Sequence, residues 1–149
     1  MKTLVLGIGN PILTDDGVGI EIARRIEQHN PDVVVEETNE AAIALLDLVM
    51  DYERLIIIDS IMTEDGQPGK LYKLGLEDFS PKMDFMSAHG MDIATAFEVG
   101  SGIGCRLPQS VSIYAVEVKD NSNFSESCTP ELAARIAPIT QKIIAEEKL

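Results

Sequence analysis

The chain is poor in positive charge, in cysteine and in histidine, and it has no long apolar run. Twelve lysines and arginines stand against 25 aspartates and glutamates, a formal net charge of -13 at pH 7. Such a balance opposes binding to phosphate backbones and anionic membrane surfaces, so neither nucleic acid nor membrane is an expected partner. The N-terminus, Met1-Lys2-Thr3-Leu4-Val5-Leu6, carries only a short apolar run without a cleavage-site pattern, and no segment reaches membrane-spanning length. A soluble cytoplasmic protein is expected. Cys105 and Cys128 lie far apart with no C-x-x-C spacing, which encodes neither a disulfide framework nor a thiolate zinc site. Imidazole is limited to His29 and His89.

The sequence does hold alternating apolar runs and amphipathic stretches. Lys2 to Ile8 is a strand buried on both faces and stopped by Gly9-Asn10-Pro11. Val18, Ile22 and Ile26 recur at helical spacing with Ala23 beside them, opposite Glu21, Arg24, Arg25, Glu27 and Gln28. Asn30-Pro31 ends that helix, Val33 to Val35 forms a second strand, and Asn39 caps a second helix striped by Ile43, Leu46 and Met50. Leu55 to Ile58 is continuous rather than alternating, the pattern of a central parallel strand, and Asp59 terminates it. These elements read βαβαβ, whose right-handed crossovers bring the strand carboxyl ends to one edge, where ligands of such folds sit. Further on, Lys70 to Leu74 is a strand, Ser80-Pro81 a break, and Ser87 the cap of a helix carrying Ile93 and Phe97. Gly100-Ser101-Gly102-Ile103-Gly104 follows that helix and reads as a flexible loop. Val111 to Val118 is a strand, and Thr129-Pro130-Glu131 opens a last helix with Leu132, Ile136, Ile139 and Ile143 buried and Pro138 kinking it. Without internal repeat or dividing linker, residues 1–149 form one domain.

The segment "GIGNPILTDDGVG", residues 7–19, starts like a dinucleotide turn but departs from one. No third glycine follows at the required place, and Asp15-Asp16 would repel a pyrophosphate at the helix start. A lone aspartate there would be explained by the helix dipole; two adjacent ones make sense if one caps and the other faces a cation. With strand order 2-1-3, Asp16 and Asp59 face one crevice. His29 sits at a polar helix end and reads as solvated, whereas His89, in "MSAHGMD", lies among small residues that leave its ring accessible. Two carboxylates and one imidazole make an open O/N site for a borderline divalent ion. No G-x-S-x-G elbow is present, so a hydrolytic reaction would use an activated water.

"VLGIGNPILTDDGVG", "LIIIDS" and "SAHGMD", in that order and spacing, resemble the three site segments of the hydrogenase maturation endopeptidases. The resemblance spans nearly the whole chain and implies a three-layer α/β domain with a mostly parallel, twisted five-stranded sheet and helices on both faces. It implies a protease that removes the C-terminal extension of a nickel-iron hydrogenase large-subunit precursor after nickel insertion; a monomer is expected. Nickel comes with the substrate, and no tightly bound organic cofactor is expected. Carried over by position, Asp16, Asp59 and His89 would contact the nickel and carry the catalysis. Some members of the family have glutamate where Asp16 stands and proline where Ala88 stands, and Glu117 falls at the family's later acidic or amide position. Asp15 is expected as a helix cap and Asn10 as a brace of the loop. The acidic surface fits a precursor with a basic tail or patch. Two other classes fit the bare residues: a nickel carrier or sensor using the same three side chains, and a nucleotide-dependent α/β enzyme.

Overall fold

The computed structural model describes residues 2–40, 44–78 and 88–149, with residues 88–92 described in backbone only. Five strands, β1 (Thr3–Ile8), β2 (Val34–Thr38), β3 (Arg54–Ile61), β4 (Leu71–Leu74) and β5 (Ser110–Glu117), form one sheet in the order β2-β1-β3-β5-β4. The first three and β5 are parallel; β4 runs antiparallel to β5. The cause is local: β3 reaches β4 through a loop without a helix, and a strand that returns without a crossover helix runs backwards.

Helices α1 (Val18–His29), α2 (Ala44–Val49), α3 (Ala88–Gly102) and α4 (Pro130–Glu147) cover the two faces. The central strands divide their side chains by the two-residue period of the pleat. Val5, Ile56, Ile58, Tyr114 and Val116 pack with Ile22 and Ile26 of α1 and Leu132, Ile136 and Ile143 of α4. Leu4, Leu6, Ile8, Leu55, Ile57 and Ile113 pack on the other face with Leu45 and Val49 of α2 and Ile93 of α3. Strands buried on both faces must be apolar at every position, which is why Leu55 to Ile58 is unbroken.

Several boundaries differ from the sequence reading. β3 does not stop at Asp59; Asp59, Ser60 and Ile61 remain paired with Ala115, Val116 and Glu117 of β5. α2 ends at Val49, leaving Met50 beyond it, and β2 extends to Thr38. Gly100-Ser101-Gly102 completes α3 instead of forming a loop, and Gly100 faces α2 closely: a Cβ there would lie 3.0 Å from Leu46 Cδ2. α4 continues through Pro138 as a single helix. Thr129 precedes α4 but makes no side-chain cap, since its hydroxyl is turned to Asp15. Ile43, Ser80-Pro81 and Ser87 lie outside the described residues. No helix among the described residues is long and apolar enough to cross a membrane.

Candidate functional site

The site grows from the way β1 hands over to α1. After Ile8 the chain bends through Gly9, whose φ of 154° is open to glycine and strained for other residues. Space makes the same demand, because a Cβ on Gly9 would stand 2.0 Å from the Asp16 carbonyl oxygen. Asn10 braces the turn as expected: its Oδ1 accepts from Ile12 N at 3.1 Å, and its own N–H donates to Asp16 Oδ2 at 2.9 Å. A 3-10 turn over Thr14–Gly17 then leads directly into α1. Gly19 lets the start of α1 press on the sheet, since a Cβ there would lie 2.3 Å from Ile58 O. Successive amides of the turn are already engaged, with Thr14, Asp15 and Asp16 N–H groups donating to the carbonyls of Ser125, Asp120 and Leu13. The glycines of this loop therefore serve backbone packing, and these three amides are not turned to a phosphate.

Asp16 and Asp59 meet through a residue the sequence reading passed over. Ser60 Oγ donates to Asp16 Oδ1 at 2.8 Å, and Ser60 N donates to Asp59 Oδ1 at 2.8 Å. One serine thus links the loop carboxylate to the strand carboxylate. Alternation along β3 explains how: Ser60 follows Ile58 on the α1 face, where Asp16 waits, while Asp59 follows Ile57 on the face of α2 and α3. Asp59 is only 3% exposed, and Asp16 is half-buried. A carboxylate offers about four acceptor positions, so Asp16 keeps capacity for a cation beyond its two hydrogen bonds.

His89 is the second residue of α3. The segment after α3 bonds at the base of β3, with Arg106 O accepting from Asp51 N and Glu53 O accepting from Gln109 N. The C-terminal end of α3 therefore lies toward the amino edge of the sheet. The His89 side chain lies outside the described residues. Among the described residues, no group of three His, Cys, Asp or Glu side chains could hold a metal ion. His29, at the last position of α1, is exposed as expected.

Asp15 does not cap α1. It is fully buried, and its carboxylate accepts four hydrogen bonds: Lys119 N, Asp120 N and Thr129 Oγ1 on Oδ2 at 3.0 Å each, and Thr129 N on Oδ1 at 2.7 Å. It ties the exit of β5 and the entry of α4 to the turn that carries Asp16. Glu117 plays the corresponding part after β3. Its buried carboxylate accepts from Thr63 N at 2.7 Å, from the Thr63 hydroxyl and from Tyr72 OH at 3.1 Å, fixing the loop that follows Ile61. Gly66 is required beside it, because a Cβ there would fall 2.1 Å from Glu117 Cδ. Neither long-range task is visible in local spacing. Ser60 was within reach, as a hydroxyl directly following an aspartate at a strand's carboxyl end.

The cysteines are poorly placed for nucleophilic work. Burial, reinforced by the negative charges of Asp15 and Glu21, pushes the Cys128 thiol up to about 11, and its Sγ lies 3.9 Å from the Thr14 carbonyl oxygen. Cys105 follows α3 at the opposite edge of the sheet, its N–H bonded to Gly100 O.

With this geometry in hand, the chain can be set beside known proteins. Residues 17–146 match the HycI family, described as hydrogenase maturation protease. The hydrogenase 2 maturation protease of Escherichia coli K12 is 28% identical over 152 aligned residues, covering 97% of this chain and 90% of that protein. The structure of the hydrogenase maturating endopeptidase HybD from E. coli superposes with a TM-score of 0.82 at 27% identity, covering 99% of this chain and 93% of that one. The [NiFe] hydrogenase maturation protease HybD from Thermococcus kodakarensis shares the fold, with a TM-score of 0.79 at 24% identity, covering 99% and 98% of the two chains.

Proposed function

Since this chain belongs to the hydrogenase maturation protease family and is a peptidase, we propose that it removes the C-terminal extension of a nickel-iron hydrogenase large-subunit precursor after nickel has been inserted. Asp16, Asp59 and His89 complete the coordination of the nickel that the precursor carries, and so convert a metal check into a docking requirement. The observation that carries this reading is the Ser60 link, which couples a loop carboxylate and a strand carboxylate at one sheet edge. Asp16 keeps acceptor capacity beyond its two hydrogen bonds, and a divalent ion is a partner that such carboxylate oxygens take. Oxygen and imidazole donors suit a borderline ion such as nickel.

The nucleophile in this account is water. The Cys128 thiol, pushed up to about 11, is almost wholly protonated at neutral pH, and Cys105 lies at the far edge. The hydroxyl of Ser60 is committed to Asp16. Docking the ion at the carboxyl edge brings the scissile peptide beside it, and a water positioned there adds to the carbonyl carbon while the amide nitrogen leaves with a proton.

Equilibrium binding tests the docking requirement. Nickel-loaded precursor is expected to bind at micromolar concentration or below, and nickel-free precursor at least about tenfold more weakly. Free nickel ions are expected to bind weakly, because the three side chains alone leave the coordination shell incomplete. Tight binding of free nickel together with indifference to the state of the precursor would make the protein a carrier instead.

A further inference from the structure

Three of the six large hydrophobic residues exposed among the described residues lie on the loops that flank the Asp16–Ser60–Asp59 edge. Phe124 is 82% exposed, Ile12 46% and Met62 43%. Ile12 lies in the loop that leads to Asp16, Met62 directly follows β3, and Phe124 is clipped beside Ile12 by the hydrogen bonds Ser125 N to Ile12 O at 2.9 Å and Thr14 N to Ser125 O at 3.0 Å. Phe124 and Ile12 thus stand on neighbouring segments that are hydrogen-bonded to each other, and exposed apolar side chains grouped together mark interaction sites. The Thr14 hydroxyl donates to Asn123 O, Asp120 accepts from Ser122 N at 3.0 Å and Asn123 N at 3.1 Å, and the Asp15 latch fixes both ends of the segment. A rigidly presented apolar side chain loses little entropy on binding, which is the property of an interface anchor.

From this patch a cleft of about 520 Å³ runs along the outer side of α1, lined among others by Pro11, Glu21, Arg24, Arg25 and Glu126. Both arginines are already neutralised, Arg24 by Glu37 at 2.6 Å and Arg25 by Glu21 at 3.3 Å. Glu126 and the formal net charge of -13 therefore set the sign of the surface.

We infer that Phe124 and Ile12 form the docking surface for the precursor polypeptide, gripping an apolar residue of the segment that leads to the cleavage site, with basic residues of that segment following the cleft. The inference rests on the proteolytic reading above, for it gives that substrate a second point of attachment independent of the metal. Its residues touch neither carboxylate, so they select by sequence where the ion selects by loading.

The test measures KM and kcat on nickel-loaded precursor for wild type, Phe124→Ser, Phe124→Leu and Ile103→Ser, with equilibrium binding of each protein to the same precursor in parallel. Phe124→Ser is expected to raise KM and the dissociation constant about 10- to 100-fold, and Phe124→Leu about threefold, as loss of a whole or partial apolar anchor requires. Ile103, 72% exposed but at the opposite edge of the sheet, is the control and leaves both unchanged. Because Phe124 is exposed, the variants should keep the wild-type melting temperature. Cleavage with unchanged KM in Phe124→Ser overturns the docking surface alone. Phe124-dependent binding without cleavage overturns the proteolytic reading and keeps the surface, and a wild type that does not bind precursor overturns both. Concentration-dependent self-association abolished by Phe124→Ser, with KM unchanged, would assign the patch to a second copy of this chain and overturn the inference.

Discussion

Replacing Asp15 removes a carboxylate that no solvent reaches and that four donors address. A hydrogen bond to a charged group contributes about 1.5–3 kcal/mol, and a buried donor left without a partner costs about 1–3 kcal/mol. Some of the donors released by Asp15→Ala regain water as the segment from Lys119 to Thr129 loosens, so the net loss is set at about 3–5 kcal/mol rather than at the sum. For a domain of this size that corresponds to a fall in melting temperature of about 6–20 °C. Asp15→Asn keeps one acceptor oxygen but turns an amide N–H₂ toward either Thr129 N or the pair formed by Lys119 N and Asp120 N, where donor faces donor. It should lose about 2–3 kcal/mol, less than alanine. Urea unfolding followed by circular dichroism reads both values, and precursor cleavage should fall further than stability alone explains, because the latch holds the turn that carries Asp16. An Asp15→Ala loss below about 1 kcal/mol, or an asparagine variant worse than alanine, would refute the latch.

Gly9→Ala should leave a folded protein whose kcat/KM is lower by about 100-fold or more, since a Cβ placed 2.0 Å from Asp16 O must displace the Asp16 turn; a steady-state assay on precursor checks it. Burial pushes the Glu147 carboxyl up, but the hydrogen bond and charge of Arg54 at 2.7 Å, helped by Ser112 and Tyr114, outweigh it and hold the group below the usual carboxylate range. A depressed folded value means that this stabilisation is present above about pH 4.5 and is lost as pH falls through the folded value, so wild type should weaken only on strong acidification. Arg54→Met leaves Glu147 buried without its cation and should cost about 3 kcal/mol at pH 7, a deficit that narrows toward pH 5 as the carboxyl protonates; urea midpoints at the two pH values decide it. Cys128, pushed up to about 11, should resist iodoacetamide in the native protein at pH 7.5 and react freely in urea, as peptide mass mapping will show.

The parallel core was legible because its physics is local. Strands buried on both faces carry apolar runs, and α1 and α4 carry a stripe at helical spacing, so β1, β3, β5 and both helices could be read from the pattern of apolar residues. The reversal of β4 was not legible, since it depends on how the chain leaves β3 and not on the residues Leu71 to Leu74. The end of β3 was misjudged because Asp59-Ser60 looks like a polar terminus, while pairing with Ala115 and Val116 keeps it in the sheet. The candidate site divides in the same way. Asp16, Asp59 and the brace at Asn10 follow from motif and position, and the structure joins the two aspartates through Ser60. Asp15 and Glu117 were beyond local reading, since their partners lie 104 to 114 and 45 to 54 residues away in the chain.

The central claim is that Asp16, Asp59 and His89 act together on nickel carried by the substrate. Its most direct test is intact-mass analysis of a nickel-loaded large-subunit precursor after incubation with wild type, Asp16→Ala, Asp59→Ala and His89→Ala, with nickel-free precursor as control. The account predicts loss of a defined C-terminal peptide with wild type and nickel-loaded precursor only, and cleavage reduced at least about 100-fold in each variant. Equal cleavage of nickel-free precursor, or full activity in any of the three variants, would contradict it.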